Sequence, residues 1–289
     1  MNTFQTRSCR SSVVVAFFAV HATAQTLQVA QNGTATEISL EGGAIFHSTD
    51  AAVAATQLIP VPGSAVLLAL WQETDAGITS PYYAISLDGT TFPRVRKTSY
   101  DLRLGIGEFD PVTETVTVDP TLVADGANRL YIVQFLTQPL EEFRQGVADA
   151  GGTVRGFVGN HAHVVEMDSA TKTLVEVLPY VRWVGPLHPA YRMEAYLRDN
   201  INQAEELFPL QRYNILVAQR GAVQKAVVAG QIESWGGSVG PLSPNGYNFQ
   251  ATLTPTQLLS LVQRNEVLFV SRWTPPEIAM DRARAISGA

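Results

Sequence analysis

Gly236-Gly237-Ser238-Val239-Gly240 fits the spacing G-x-S-x-G. In α/β-hydrolases that spacing exposes a nucleophilic serine on a strained turn between a strand and a following helix. The flanking sequence reverses this order. "AVQKAVVAGQIESWGG" (Ala222–Gly237) has helical apolar spacing through Val228, Ile232 and Trp235, and "SVGPLS" (Ser238–Ser243) reads as extended. His21, His47, His161, His163 and His188 all precede Ser238, against the order Ser…Asp…His of that fold. An earlier Gly151-Gly152-Thr153-Val154 holds the equivalent place without a serine. The glycines therefore read as helix terminators, and no catalytic residue is expected here.

His161 and His163 stand two apart on a predicted strand, where they would share a face and could hold a metal. No third ligand stands at a fitting separation, so they read as surface or partner-facing histidines, and neither metal nor cofactor is expected. Glu141-Glu142 opens a predicted helix, where acids complement the dipole. Arg182-Trp183 and Arg272-Trp273 each end a predicted strand. They read either as anchors of a sheet edge or as contacts for a partner, since Trp and Arg are frequent interface anchors. HExxH, Walker and Rossmann patterns are absent.

The elements that carry these residues come in two similar sets. The first begins with "LYIVQF" (Leu130–Phe135) and a helix in "PLEEFRQGVADAGG" (Pro139–Gly152), with Leu140, Phe143, Val147 and Ala150 on one face. "TVRGFV", "HAHVVEM", the helix "SATKTLVEVL" and "YVRWVG" follow. The second runs "YNILVA", Ala222–Gly237, "SVGPLS", "YNFQATL", a helix after Thr254-Pro255, and "VLFVSRW" (Val267–Trp273). The glycine pairs, Asn160 with Asn245, and the two Arg-Trp pairs align them. Each set is β-α-β-β-α-β, which predicts an α+β protein of two tandem ferredoxin-like modules at 129–192 and 212–275. Each antiparallel sheet would have helices on one face only, leaving the other for solvent or a partner. Residues 193–211 read as a linker with a helix.

Residues 25–128 read as a small β-rich segment, from "SAVLLALWQE", "PYYAISLDG" and "TETVTVDP", with a hairpin signal at Asp88-Gly89. Residues 1–24 read as a secretory signal: Arg7 and Arg10, the apolar Val13–Val20, then Ala22-Thr23-Ala24. Cleavage would remove Cys9, the sole cysteine, and take the formal charge from −6 to −8. The mature protein would be secreted or periplasmic, without internal disulfides. Asn32-Gly33-Thr34 is a glycosylation sequon only in a eukaryotic secretory route. A 289-residue chain of 46% hydrophobic and 16% charged residues suits a folded protein. The acidic balance without a basic block argues against nucleic acid, and no later apolar run reaches the roughly 20 residues of a membrane span.

The stretch "LYIVQFLTQPLEEFRQGVADAGGTVRGFVGNHAHVVEM…LPYVRWVGPLHPAYR" (Leu130–Arg192) resembles the N-terminal propeptide region of secreted bacterial subtilisin-like serine proteases. The second copy, ending "VLFVSRWTPPEIAMDRARAISGA" (Val267–Ala289), resembles the segment that leads into their catalytic domain. The resemblance covers about residues 60–289 and implies a folding chaperone or inhibitor. A sheet face would pack on the protease, and a C-terminal tail would lie along its active-site cleft. It implies the protease catalytic domain as partner, in cis or trans, with Arg182, Trp183, Arg272, Trp273, Thr274, Pro275 and Pro276 as contact candidates. The Asp-[Ser/Thr]-Gly, His-Gly-Thr and Gly-Thr-Ser motifs of those enzymes are absent, and the chain stops where that domain would begin. A stand-alone pro-region, a truncated subtilase gene product and a secreted binding module unrelated to proteolysis are the readings left open.

Overall fold

The computed structural model describes residues 25–275. The expected signal peptide and the tail 276–289, with Pro276, lie outside the described residues. The fold is α+β, built on several antiparallel sheets.

The described residues open with a three-stranded sheet of β1 (Leu27–Asn32), β2 (Ala35–Leu40) and β3 (Ile45–Thr49). In β2, Thr36, Ile38 and Leu40 are buried and alternate with half-buried neighbours, the period of a strand covered on one side. A second sheet follows, in the order β4 (Ala52–Pro60), β5 (Leu67–Asp75), β6 (Ile78–Ser86), β7 (Val95–Lys97). The apolar run of β5 is covered on both sides. Leu67, Ala69 and Trp71 pack with Ile38, Leu40 and Phe92 toward the first sheet. Leu68 points the other way, into a core shared with the first repeat. Asp88-Gly89 lies in the connection between antiparallel β6 and β7, longer than a two-residue hairpin. The expected strand at Thr113–Pro120 is instead a loop, because no neighbouring strand pairs with it. Before it comes a short hairpin of β8 (Leu102–Leu104) and β9 (Gly107–Phe109).

The first repeat is β10 (Leu130–Phe135), α1 (Glu141–Asp149), β11 (Thr153–Val158), β12 (Ala162–Glu166), α2 (Ser169–Glu176) and β13 (Val181–Pro186), with sheet order β11-β12-β10-β13. Two short helices, α3 (Ala195–Asp199) and α4 (Ala204–Leu207), occupy the linker. The second repeat is β14 (Gln211–Val217), α5 (Ala222–Ser234), β15 (Ser238–Val239), β16 (Asn248–Leu253), α6 (Pro255–Val262) and β17 (Val267–Arg272), with sheet order β15-β16-β14-β17. Every pairing in both sheets is antiparallel.

The helices stop alike. Gly152 N–H donates to Val147 O and Gly151 N–H to Ala148 O; Gly237 donates to Ile232 O and Gly236 to Glu233 O. Both are Schellman closures, with the left-handed residue at Gly151 (φ 101°) and Gly236 (φ 82°). The second glycine of each pair is needed for closeness: a Cβ on Gly152 would lie 2.8 Å from Val147 Cγ1, and one on Gly237 2.7 Å from Ile232 Cγ2. At the start of α6, Thr254 and Gln257 form a reciprocal capping box with Pro255 behind them.

Two expectations require correction. The first repeat has no bare sheet face. Leu130, Ile132, Ala162 and Val164, on the side away from the helices, are buried with Leu102 of the β8–β9 hairpin and Leu187. Polar clasps hold the hairpin segment there. Gln134 Nε2 donates to Tyr100 O (2.7 Å), and Tyr100 Oη to Leu136 O (2.8 Å). The cause is legible in β10, which is apolar on both sides and so needs two covers.

The second correction concerns register. Trp183 stands opposite Gln134 and Phe269 opposite Leu216, each beside a bulge at the end of the central strand. Trp183 therefore corresponds to Phe269, and Arg182 to Leu268. The matching Arg-Trp dipeptides lie four positions apart in the shared frame. The helix-facing pattern Tyr131, Val133, Phe135 against Tyr213, Ile215, Val217 sets the register, not the dipeptide.

The linker is fastened to the second repeat. Met193 bridges Val270 in parallel and Glu194 N–H donates to Val270 O, so the outer edge of β17 is covered. The buried Arg192 donates to the carbonyls of Arg264 (2.8 Å) and Val267 (3.0 Å). Burial holds its pKa down at about 10.

Candidate functional site

The second repeat has an open sheet face where the first is covered. Alternation in "QRYNILV" sends Tyr213, Ile215 and Val217 to the helices and Arg212, Asn214 and Leu216 outward. Three rows cross the sheet on that outer side: Thr252, Arg212 and Trp273; then Gln250, Asn214 and Ser271; then Asn248, Leu216 and Phe269. All nine residues are exposed or half-buried. Gln250 Nε2 donates to Asn214 Oδ1 (3.1 Å), and Asn214 Nδ2 donates to the carbonyl of Arg272 (3.2 Å). The Arg212 guanidinium lies over the Trp273 indole, 4.7 Å from the ring centroid, a cation–π contact that holds both flat against the sheet. Such a surface offers amides, hydroxyls, one guanidinium and two aromatic rings. It can hydrogen-bond and stack on another polypeptide.

The candidates read from the sequence divide between this face and the interior. Trp273 lies on the face, and Thr274 and Pro275 follow it, exposed. Arg182 is turned inward. Its guanidinium grips Asp110 through two 2.7 Å bonds, donates to Gln134 Oε1 (2.8 Å), and lies 4.1 Å from the Tyr100 centroid. Burial would raise the Asp110 carboxyl, but the hydrogen bonds and charge of Arg182 outweigh it and hold that carboxyl below its usual range. Trp183 folds over Gly185, where any Cβ would fall 2.1 Å from the indole. Arg272 is tied to the linker: its N–H and guanidinium both donate to Glu194, and it stacks 3.9 Å over Tyr196. Pro276 lies outside the described residues.

His161 and His163 do not share a face. His161 sits in the β11–β12 turn at φ 69°, and the strand begins one residue later. Its Nε2 meets Thr98 Oγ1 and its ring edges Tyr83 and Tyr100. Burial pushes its pKa down to about 4, so it stays neutral above that. His163 lies on the helix side between Phe135 and Phe157. Among the described residues, no group of three His, Cys, Asp or Glu could hold a metal, and no serine or cysteine hydrogen-bonds to a histidine. Ser238 opens β15 directly after α5, on the edge of the open face. Arg212, Asn214, Gln250 and Phe269 were not singled out from the sequence. The polar–apolar alternation of β14 and β16 was the signal for three of them.

A family model described as a domain of unknown function, DUF8729, matches residues 103–188. That span takes in the first repeat and most of the β8–β9 hairpin, and begins one residue after the covering Leu102. No curated protein and no solved structure matches the chain. Among the described residues, no helix is long and apolar enough to cross a membrane.

Proposed function

We propose that the chain is the non-catalytic pro-region of a secreted subtilisin-like serine protease, made of two tandem ferredoxin-like modules that differ in task. The first module is a structural adaptor, closed on both sides. The second is the docking module, and its open face packs on the surface of the protease catalytic domain. The reading rests on the resemblance of Leu130–Arg192 and Val267–Ala289 to such pro-regions and on the β-α-β-β-α-β order of each repeat. The observation that carries it is the open sheet face of the second repeat, with Trp273 at its rim and exposed Thr274-Pro275 leaving from it.

Physically, the face acts by binding a native-like state of the catalytic domain more tightly than its unfolded chain, which shifts the folding equilibrium by mass action. The same contact, with an extended tail laid in the cleft, would inhibit the folded enzyme. The test is to add purified residues 25–289 to a panel of folded subtilisin-like proteases and to their denatured catalytic domains. Sub-micromolar inhibition or faster recovery of activity is expected, weakened at least tenfold by Asn214→Lys with Phe269→Asp. Absence of both effects across the panel overturns the protease reading and leaves a secreted binding module unrelated to proteolysis.

A further inference from the structure

A cleft of about 740 Å³ lies between the β4–β5 turn and helices α1 and α2. Its lining includes three carboxylates, Glu141, Glu142 and Asp149, and no cation. Glu141 is neutralised by Arg144 at 2.8 Å, and both glutamates suit the N-terminal turn of α1. Asp149 does not. It sits in the last turn, where the helix dipole disfavours an anion; the neutral Gln145 amide donates to it at 2.7 Å, and no basic residue accompanies it there.

The floor carries a second sign. Tyr180 is only 3% exposed and stacks on Phe143 with centroids 4.3 Å apart. Its hydroxyl crosses α1 at Gly146, where a Cβ would fall 1.8 Å from Oη. Tyr180 lines the cleft, and its hydroxyl, still in reach of solvent, hydrogen-bonds to none of the described residues and so is free to take a partner there. Leu174, 55% exposed, and Leu178 form an apolar wall facing Pro62.

We propose that this cleft binds a lysine or arginine side chain presented by a partner polypeptide. The methylene stem lies along Leu174 and Leu178, and the charged head reaches Glu142, Asp149 and the Tyr180 hydroxyl. Long cationic side chains combine an apolar stem with a polar head in this way. The cleft's uncompensated negative charge selects the sign of the occupant, and its apolar wall selects a side chain over a free ion. The proposal does not depend on the protease reading, because it uses a different surface.

The experiment measures fluorescence anisotropy of a labelled, end-capped peptide, Ala-Leu-Lys-Leu-Arg-Ala, against the purified protein. A peptide with glutamate in both basic positions is the control. Saturable binding of the basic peptide alone is expected. Glu142→Lys with Asp149→Lys should weaken it at least tenfold, and Tyr180→Phe, which keeps the ring stack, two- to fivefold. Glu205→Lys with Glu206→Lys changes the net charge equally on exposed α4, far from the cleft in sequence, and should leave affinity within twofold. Equal weakening by both double variants would show attraction to net charge and overturn the proposal. So would absence of saturable binding, or a Tyr180→Phe affinity equal to that of the unaltered protein.

Discussion

Ile132 and Asn214 occupy the same station in the two repeats, and one is fully buried while the other faces outward. Ile132 sits between Val164 and Gly185; Asn214 sits between Gln250 and Ser271. The two sheets share one strand order and differ in the chemistry of one face. Ile132→Asn therefore buries an unpaired amide and should cost about 2–5 kcal/mol. Asn214→Ala, on the open face, should cost no more than about 1 kcal/mol. Urea denaturation of the two variants checks the contrast, and equal losses would contradict the assignment of faces.

The Arg182–Asp110 pair closes the cover of the first repeat. Asp110→Asn removes a partner of a half-shielded guanidinium and should cost about 1.5–3 kcal/mol. Because the Asp110 pKa is depressed on folding, its contribution is present above the unfolded carboxylate value and is lost as pH falls below about 4. The acid limb of the stability–pH curve should flatten in Asp110→Asn, as read by thermal melts from pH 6 to pH 3.

His161 also acts on the acid side, beginning at a higher pH than Asp110. Its folded pKa of about 4 lies below the ordinary value of 6.5, so the folded state favours the neutral ring. Its contribution is full above pH 6.5 and falls away as pH drops toward 4. Partial solvent exposure limits the effect to the order of 1–2 kcal/mol. His161→Asn accepts the left-handed backbone and cannot titrate. The difference in stability between the two proteins should shrink or reverse between pH 7 and pH 4.5 in chemical denaturation. A constant difference would place His161 in a more open setting than its contacts with Thr98, Tyr83 and Tyr100 describe.

Glycine substitutions separate tight packing from free space. Gly237→Ala drives a methyl into Ile232 and Leu253 and should destabilise by about 1–3 kcal/mol. Gly230→Ala, inside α5 with nothing within 4 Å of the new carbon, should stabilise by about 0.5–1 kcal/mol. Melting temperatures moving in the same direction would refute the comparison.

Much of the framework was legible in the residues. The glycine pairs, the Thr254-Pro255 cap and the apolar spacing of α1 and α5 marked the repeated order. The covered face of the first repeat was also written in "LYIVQF", where Leu130 and Ile132 are apolar on the side that a one-layer sheet would give to water. It was missed because its cover, near Leu102, comes from a segment with only three-residue strands. The true register of β17 was hidden by a second Arg-Trp pair. Strand pairing depends on partners distant in sequence, and a dipeptide carries no account of them. The open face was half visible: "QRYN" alternates, as do Phe269, Ser271 and Trp273, but the bulge between Phe269 and Val267 breaks the period of β17 and hides which side these three take.

The hairpin that ends at Phe109 also makes the first repeat a dependent. Deprived of residues 98–110, it would present Leu130, Ile132, Ala162 and Val164 to water as one oily patch. A nick in the stretch 98–110 would therefore turn a well-behaved protein into a sticky one. The second repeat shares in that dependence, since Leu122 and the hairpin's Ile106 pack into its core, but its amide-lined outer face would stay wettable when the front segment comes away.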